Sequence, residues 1–132
     1  MASIIKEIIV EASPDAVWDA VADFGALHTR FCPGFVTATE LVPGARIVSF
    51  GNGQVVREVF LGADPAARRL AYAIDSERLA HHSAAFQVLD AGEGQSRLVW
   101  TVDVLPDEMG PYLAERMDAG LAAAKDVVGR VA

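Results

Sequence analysis

The chain has one cysteine, Cys32, so no intrachain disulfide can form. That suits a reducing compartment, and we expect a cytoplasmic protein. Without a helping His or Asp placed beside it, Cys32 reads as a small, partly buried hydrophobe rather than a nucleophile. Long hydrophobic runs are missing too. No segment approaches the ~20 apolar residues of a membrane helix, which excludes stable membrane insertion through a helix. The opening MASIIKEIIVEAS is too short in its apolar part, and too interrupted by acidic residues, for a signal peptide. Basic residues are scarce. Eleven Lys and Arg face 18 Asp and Glu, a net charge of −7, and no basic run exists. Nucleic acid and anionic membrane surfaces are therefore poor partners. Ser-His-Asp constellations, metal-ligand spacings and dinucleotide fingerprints are also lacking, so we expect no cofactor and no metal. There is no internal repeat or low-complexity linker, and 1–132 reads as a single domain.

What the chain does have is apolar residues, at 52% of the total. At this length, folding buries roughly two thirds of the unfolded surface, so a real core is expected. Apolar and small residues recur along Pro106 to Val131 at Leu113, Met117, Gly120, Leu121, Ala124 and Val128. Their three-and-four spacing predicts a long amphipathic helix, with Asp107 as its N-cap and Glu115, Asp118, Lys125 and Asp126 on the wet side. The small residues in that stripe mean either close packing or room for a ligand.

The rest of the chain reads mostly as strands. Ser3–Glu11 is the first. Ser13-Pro14-Asp15 starts a helix, Pro14–Ala22, burying Val17, Trp18 and Val21. A short helix follows over about Ala26 to Phe31, ended by Cys32-Pro33-Gly34. Six strands then run over Phe35–Leu41, Ala45–Phe50, Gln54–Leu61, Arg69–Asp75, Ala80–Leu89 and Ser96–Leu105. Turn chemistry separates them, with Asn52-Gly53 a hairpin signal, and short links force antiparallel pairing. The order predicts an α+β fold in which a curved antiparallel sheet wraps the last helix.

Period-two alternation assigns the faces. Leu98, Trp100, Val102 and Val104 point to the core, as do Leu70, Tyr72 and Ile74, and His82, Ala84, Phe86 and Val88. For Gln54–Leu61, either Val56, Glu58 and Phe60 point inward or Val55, Arg57, Val59 and Leu61 do, and periodicity mildly favours the second set. His81 should face outward, so His81 and His82 cannot share a metal. His28 is read as a surface residue near the cavity mouth, and Trp18 as packing under the first helix.

Glu11-Ala-Ser-Pro-Asp-Ala-Val-Trp18, Val21-Ala-Asp-Phe-Gly25 and Pro33-Gly34 together resemble the opening of the START-like, SRPBCC helix-grip superfamily, in its polyketide cyclase/dehydrase branch. Arg57-Glu58, Asp64-Pro65, Arg68-Arg69-Leu70-Ala71-Tyr72, Val99-Trp100-Thr101 and Gly120-Leu121 extend the resemblance, in order, over essentially the whole chain. It implies a seven-stranded antiparallel sheet gripping the C-terminal helix around a cavity. It also implies that Glu58 faces that cavity, as the corresponding position does in plant abscisic-acid receptors, and that His82 lies near a pocket-lining aromatic. The chain departs from the pattern at Phe31, where many members have Trp. Phe50-Gly51-Asn52-Gly53-Gln54 replaces the receptors' gate, which puts a gate-and-latch mechanism in doubt.

The expectation is a small hydrophobic ligand, polyketide-, aromatic- or lipid-like, held by Tyr72, Phe86, Trp100, Leu113, Met117 and Leu121, with Tyr112 a further aromatic wall. A carboxylate at Glu58 in an apolar cavity would have a raised pKa. The alternative is a cofactor-independent cyclase, dehydratase or isomerase whose catalytic residues are Glu58 with His82 or Tyr72, the first two forming a dyad that enolises a carbonyl compound. A third reading is a structural or dimeric stress protein whose cavity is closed, and under any reading the chain is expected to be a monomer or homodimer.

Overall fold

The computed structural model describes residues 1–130. Seven strands form one antiparallel sheet: β1 Ala2–Val10, β2 Val36–Val42, β3 Ala45–Phe50, β4 Val55–Asp64, β5 Arg69–Asp75, β6 His81–Asp90 and β7 Ser96–Leu105. Their spatial order is β1-β7-β6-β5-β4-β3-β2. Every consecutive pair from β2 to β7 is a hairpin, and β1 returns to the edge beside β7. This is the helix-grip fold, with the last helix against the concave face.

Helix α1, Pro14–Ala22, starts where Ser13 accepts the Ala16 N–H at 3.2 Å. Its buried face is Val17, Ala20 and Val21, with Trp18 only half-buried. The next turn, Leu27–Phe31, is π-helical and five residues long. It lies over β2, where Thr39 Oγ1 is 3.0 Å from His28 Nδ1. His28 is therefore held against that strand and does not line the cavity.

The C-terminal helix is shorter than its hydrophobic stripe suggests. Helix α2 runs over Gly110–Ala124, behind a 3-10 turn at Asp107–Met109. Pro111 explains the late start, since a residue without an N–H is tolerated only in the first turn. Asp107 does not cap it. Its carboxylate pairs instead with the amino group of Met1 at 2.9 Å. The stripe itself is where the spacing put it: Met117, Gly120, Leu121, Ala124 and Val128 are buried, and Leu113 is half-buried. Val128 lies in the turns beyond the helix, and Val131 lies outside the described residues.

The faces of β5, β6 and β7 follow the alternation, and His81 is exposed. Strand β4 contradicts its periodicity. Glu58 is buried while Val55, Arg57 and Leu61 are exposed. Cross-strand register decides it, because Glu58 sits opposite Arg46 on β3 and Ile74 on β5, both on the concave face. A bulge between Phe60 and Gly62 then shifts the register. Phe60 shares the inward set yet is 43% exposed, its ring packing edge-on against Phe24 at 5.4 Å.

The β3–β4 turn is pinned to the loop before β2. Gly51 donates its N–H to Phe35 O at 3.0 Å, and a Cβ on Gly51 would stand 2.5 Å from Gly34 O. The obstacle is backbone, so a side chain there must push the two loops apart. Gly51→Ala should therefore cost about 1–3 kcal/mol, the usual range for overpacking. Urea denaturation measures it, and an unchanged midpoint would mean the two loops part freely.

Candidate functional site

Sheet and α2 enclose a cavity of about 690 Å³. That lies within the range of pockets that hold drug-sized ligands, so a domain with a closed cavity does not describe this structure. The cavity sits along the first half of α2, against Leu113, Arg116 and Met117. The second half is close-packed, since a Cβ on Gly120 would meet the rings of Phe35 and Trp100 at 3.1 Å. The small residues of the stripe therefore serve packing, and the space for a ligand comes from elsewhere.

Of the residues expected to hold a ligand, Phe86, Trp100, Leu113 and Met117 line the cavity, as does Tyr112 at its rim. Tyr72 and Leu121 do not. Tyr72 lies behind the wall, stacked on Phe86 at 5.9 Å, with its hydroxyl accepting the Trp100 indole N–H at 3.2 Å. Burial pushes the Tyr72 phenol well above its ordinary pKa, and the charge of Glu58 adds to the shift. Cys32 lines the cavity, but burial raises its thiol to about 12, which removes thiolate chemistry at neutral pH.

The polar end is built from one row of residues across the sheet. Arg46, Glu58 and Ile74 are paired in register on β3, β4 and β5, and His82 follows on β6. Glu58 is 4% exposed and is not the lone carboxylate its neighbours in sequence suggest. Arg46 Nε donates to its Oε1 at 2.8 Å, and Arg46 Nη2 stands 2.7 Å from the same oxygen. Arg46 Nη1 also donates to Phe24 O at 3.2 Å, and the guanidinium lies 4.1 Å from the centroid of the Phe24 ring. Sequence reasoning missed Arg46. The available signal was the register, since an inward Glu58 demands a cation on a neighbouring strand and Arg46 is the basic residue of β3.

Both contacts fall on Oε1, so Oε2 has no protein partner. No buried polar side-chain atom among the described residues lacks a partner, so Oε2 opens onto the cavity that Glu58 lines.

His82 is 7% exposed, and burial lowers its pKa to about 4, with His81 contributing less. Its Nδ1 accepts the Ile74 N–H at 2.9 Å, just where the β5–β6 ladder stops at Tyr72–Ala84. That bond fixes the tautomer: Nδ1 holds the lone pair and Nε2 carries the proton. His82 is thus a neutral N–H donor with its basic nitrogen already engaged. Glu58 and His82 do not hydrogen-bond to each other, because Ile74 stands between them in the row. The expected dyad becomes an acceptor on β4 and a donor on β6, with β5 between them. Among the described residues, no three His, Cys, Asp or Glu side chains gather as a metal site.

Two outcomes follow. Arg46→Met strands a buried carboxylate and should lower stability by about 3–5 kcal/mol, while adding Glu58→Leu should recover most of the loss. Equal midpoints for the wild type and Arg46→Met in urea would remove the pair from the account. The folded pKa of His82, about 4, lies below its ordinary 6.5, so the unfolded chain binds the extra proton between them. Stability is therefore full above pH 6.5 and falls on the order of 3 kcal/mol as pH drops towards 4. His82→Gln, whose carbonyl still accepts the Ile74 N–H, should flatten that slope in urea titrations at stepped pH.

No helix among the described residues is long and apolar enough to cross a membrane. Residues 1–129 match the family model described as polyketide cyclase/dehydrase and lipid transport. Among solved structures, the chain is similar to XoxI from Bacillus cereus, with 19% identity, a TM-score of 0.84, and coverage of 95% of this chain and 94% of that one. A protein from Thermobifida fusca is 27% identical at a TM-score of 0.77, covering 94% and 88%. The di-domain ARO/CYC BexL of the BE-7585A biosynthetic pathway is 18% identical at 0.80, covering 95% of this chain and 45% of BexL. No curated protein matches the chain. The helix-grip fold, the cavity and a family match over nearly every residue place this chain in the polyketide cyclase/dehydrase and lipid-transport family.

Proposed function

We propose that the protein holds a small, largely apolar ligand between the sheet and α2, with the ligand's inner end hydrogen-bonded to Glu58 and His82. One observation carries this reading: the inner end of an apolar cavity of about 690 Å³ presents a free acceptor, Glu58 Oε2, and a free donor, His82 Nε2–H, on β4 and β6, with β5 between them. Apolar walls supply affinity, and two fixed polar atoms supply orientation. A hydroxyl would donate to Glu58, and a carbonyl oxygen would accept from His82. Polyketide-like and aromatic molecules carry both groups on a flat apolar body.

A second reading uses the same atoms. In a cofactor-independent cyclase, dehydratase or isomerase, Glu58 Oε2 would take the proton alpha to a carbonyl while the His82 N–H holds the developing enolate oxygen. In an isomerase the proton would return from Glu58 at the new carbon; in a cyclase the enolate carbon would add to a second carbonyl, whose oxygen takes that proton; in a dehydratase the beta-hydroxyl would leave with it as water. A neutral imidazole suits that electrophilic role, and it cannot be the base because Nδ1 is engaged. Tyr72 is set aside as a partner, since its hydroxyl lies behind the wall.

Titration of the intact protein with a hydroxynaphthaldehyde, followed by calorimetry, tests the binding reading. Leu113→Trp, which fills the cavity beside α2, should abolish binding. His82→Phe should weaken it about tenfold, one hydrogen bond's worth near 1.4 kcal/mol. Affinity unchanged in both variants would place the ligand elsewhere. Glu58→Gln separates the two readings, because a carrier keeps most of its affinity whereas an enzyme loses turnover of an enolisable ketone while still binding it.

A further inference from the structure

The cavity's inner end is electrically balanced, because the Arg46 charge is met by Glu58. Its outer part is not. Arg78, in the β5–β6 loop, and Arg116, on α2, both line it, and Glu58 is the only carboxylate among the described residues that does. Neither arginine has an ion-pair partner among the described residues. Lys6, Arg30, Arg57, Arg68 and Arg97 each meet a carboxylate, as acidic groups outnumber basic ones 18 to 11. Arg69, Lys125 and Arg130 also stand without an ion pair, but of the unmatched basic residues only Arg78 and Arg116, among the described residues, line this cavity.

Arg116 is also held in place. It is half-buried, with its guanidinium 4.4 Å from the centroid of Phe35 and 5.5 Å from that of Phe50. Stacking on ring faces fixes the plane of the fork and leaves its N–H edge unused. Beside it Tyr112 Oη donates to Gln54 Oε1 at 2.8 Å, so the neighbouring hydroxyl is already engaged. Val55 at 64% and Tyr112 at 41% exposure mark this as the solvent end.

We infer that the ligand is an amphiphile with a carboxylate at its outer end, bound by Arg116 and Arg78, and an apolar body filling the cavity inward. This rests on the proposed function, since it assigns a ligand class to the same cavity. A planar carboxylate matches a fixed guanidinium fork through two parallel hydrogen bonds, and partial burial keeps the pair from being screened as a surface pair is. The arrangement also gives the ligand a direction: charge outward, hydroxyl or carbonyl inward.

The test compares biphenylacetate with biphenylethanol, which share one apolar body, by isothermal titration calorimetry on the intact protein. The carboxylate should bind about tenfold more tightly, and added salt should narrow the gap. Arg116→Gln should erase most of the difference by weakening the carboxylate far more than the alcohol, and Arg116→Lys should restore part of it. Arg78→Gln, on an exposed loop, gives the same reading where loss of the ring contacts destabilises Arg116→Gln. Equal affinities for the two probes would overturn the anionic end and leave the cavity reading standing. If neither probe binds, the cavity reading falls and this inference falls with it.

Discussion

A carboxylate on the concave wall of an apolar sheet is tolerated only if a cation is brought to it, and the Arg46–Glu58 pair organises the inner end of this molecule. Leaving either charge unmatched would cost several kcal/mol, comparable with the whole stability of a domain of this size. The pair therefore fixes the register of β3 against β4. Through Phe24 O it also ties both strands to the segment after α1. The guanidinium shields one carboxylate oxygen and leaves the other facing the cavity. A contact needed for folding thus also sets which carboxylate oxygen the cavity presents.

The same economy appears at His82. Where β5 and β6 diverge, a backbone N–H would lose its partner, and the imidazole supplies one. Closing that gap decides the tautomer, and the tautomer decides that the ring's other nitrogen carries an N–H rather than a lone pair. Burial then keeps it neutral at physiological pH.

Much of the fold was legible because its signals are local. Ser13-Pro14-Asp15 marks a helix start wherever it occurs, Asn52-Gly53 marks a hairpin, and alternation along β5, β6 and β7 fixes their faces. Strand β4 is ambiguous by alternation alone, because local hydrophobicity favours Val55, Arg57, Val59 and Leu61, whereas the actual face is set by partners on other strands. Only the family resemblance pointed Glu58 inward. Arg46 stayed invisible for the same reason, since its meaning lies in a cross-strand neighbour twelve positions away. The length of α2 was overestimated because the apolar stripe continues through the turns that follow it, while Pro111 postpones its start. Which half of the helix packs and which borders the cavity depends on the Phe35 and Trp100 rings, and those meet Gly120 only in the folded chain.

The Trp100–Tyr72 hydrogen bond has an optical consequence. Trp100 lies on the cavity wall, whereas Trp18 sits on α1 and does not line it. The indole N–H is capped by a phenol that burial keeps protonated far into alkaline solution. A tyrosinate would quench the indole by energy transfer, and this one is withheld. The protein therefore carries a built-in fluorophore whose emission reports on the contents of the cavity over a wide span of pH, with no label attached.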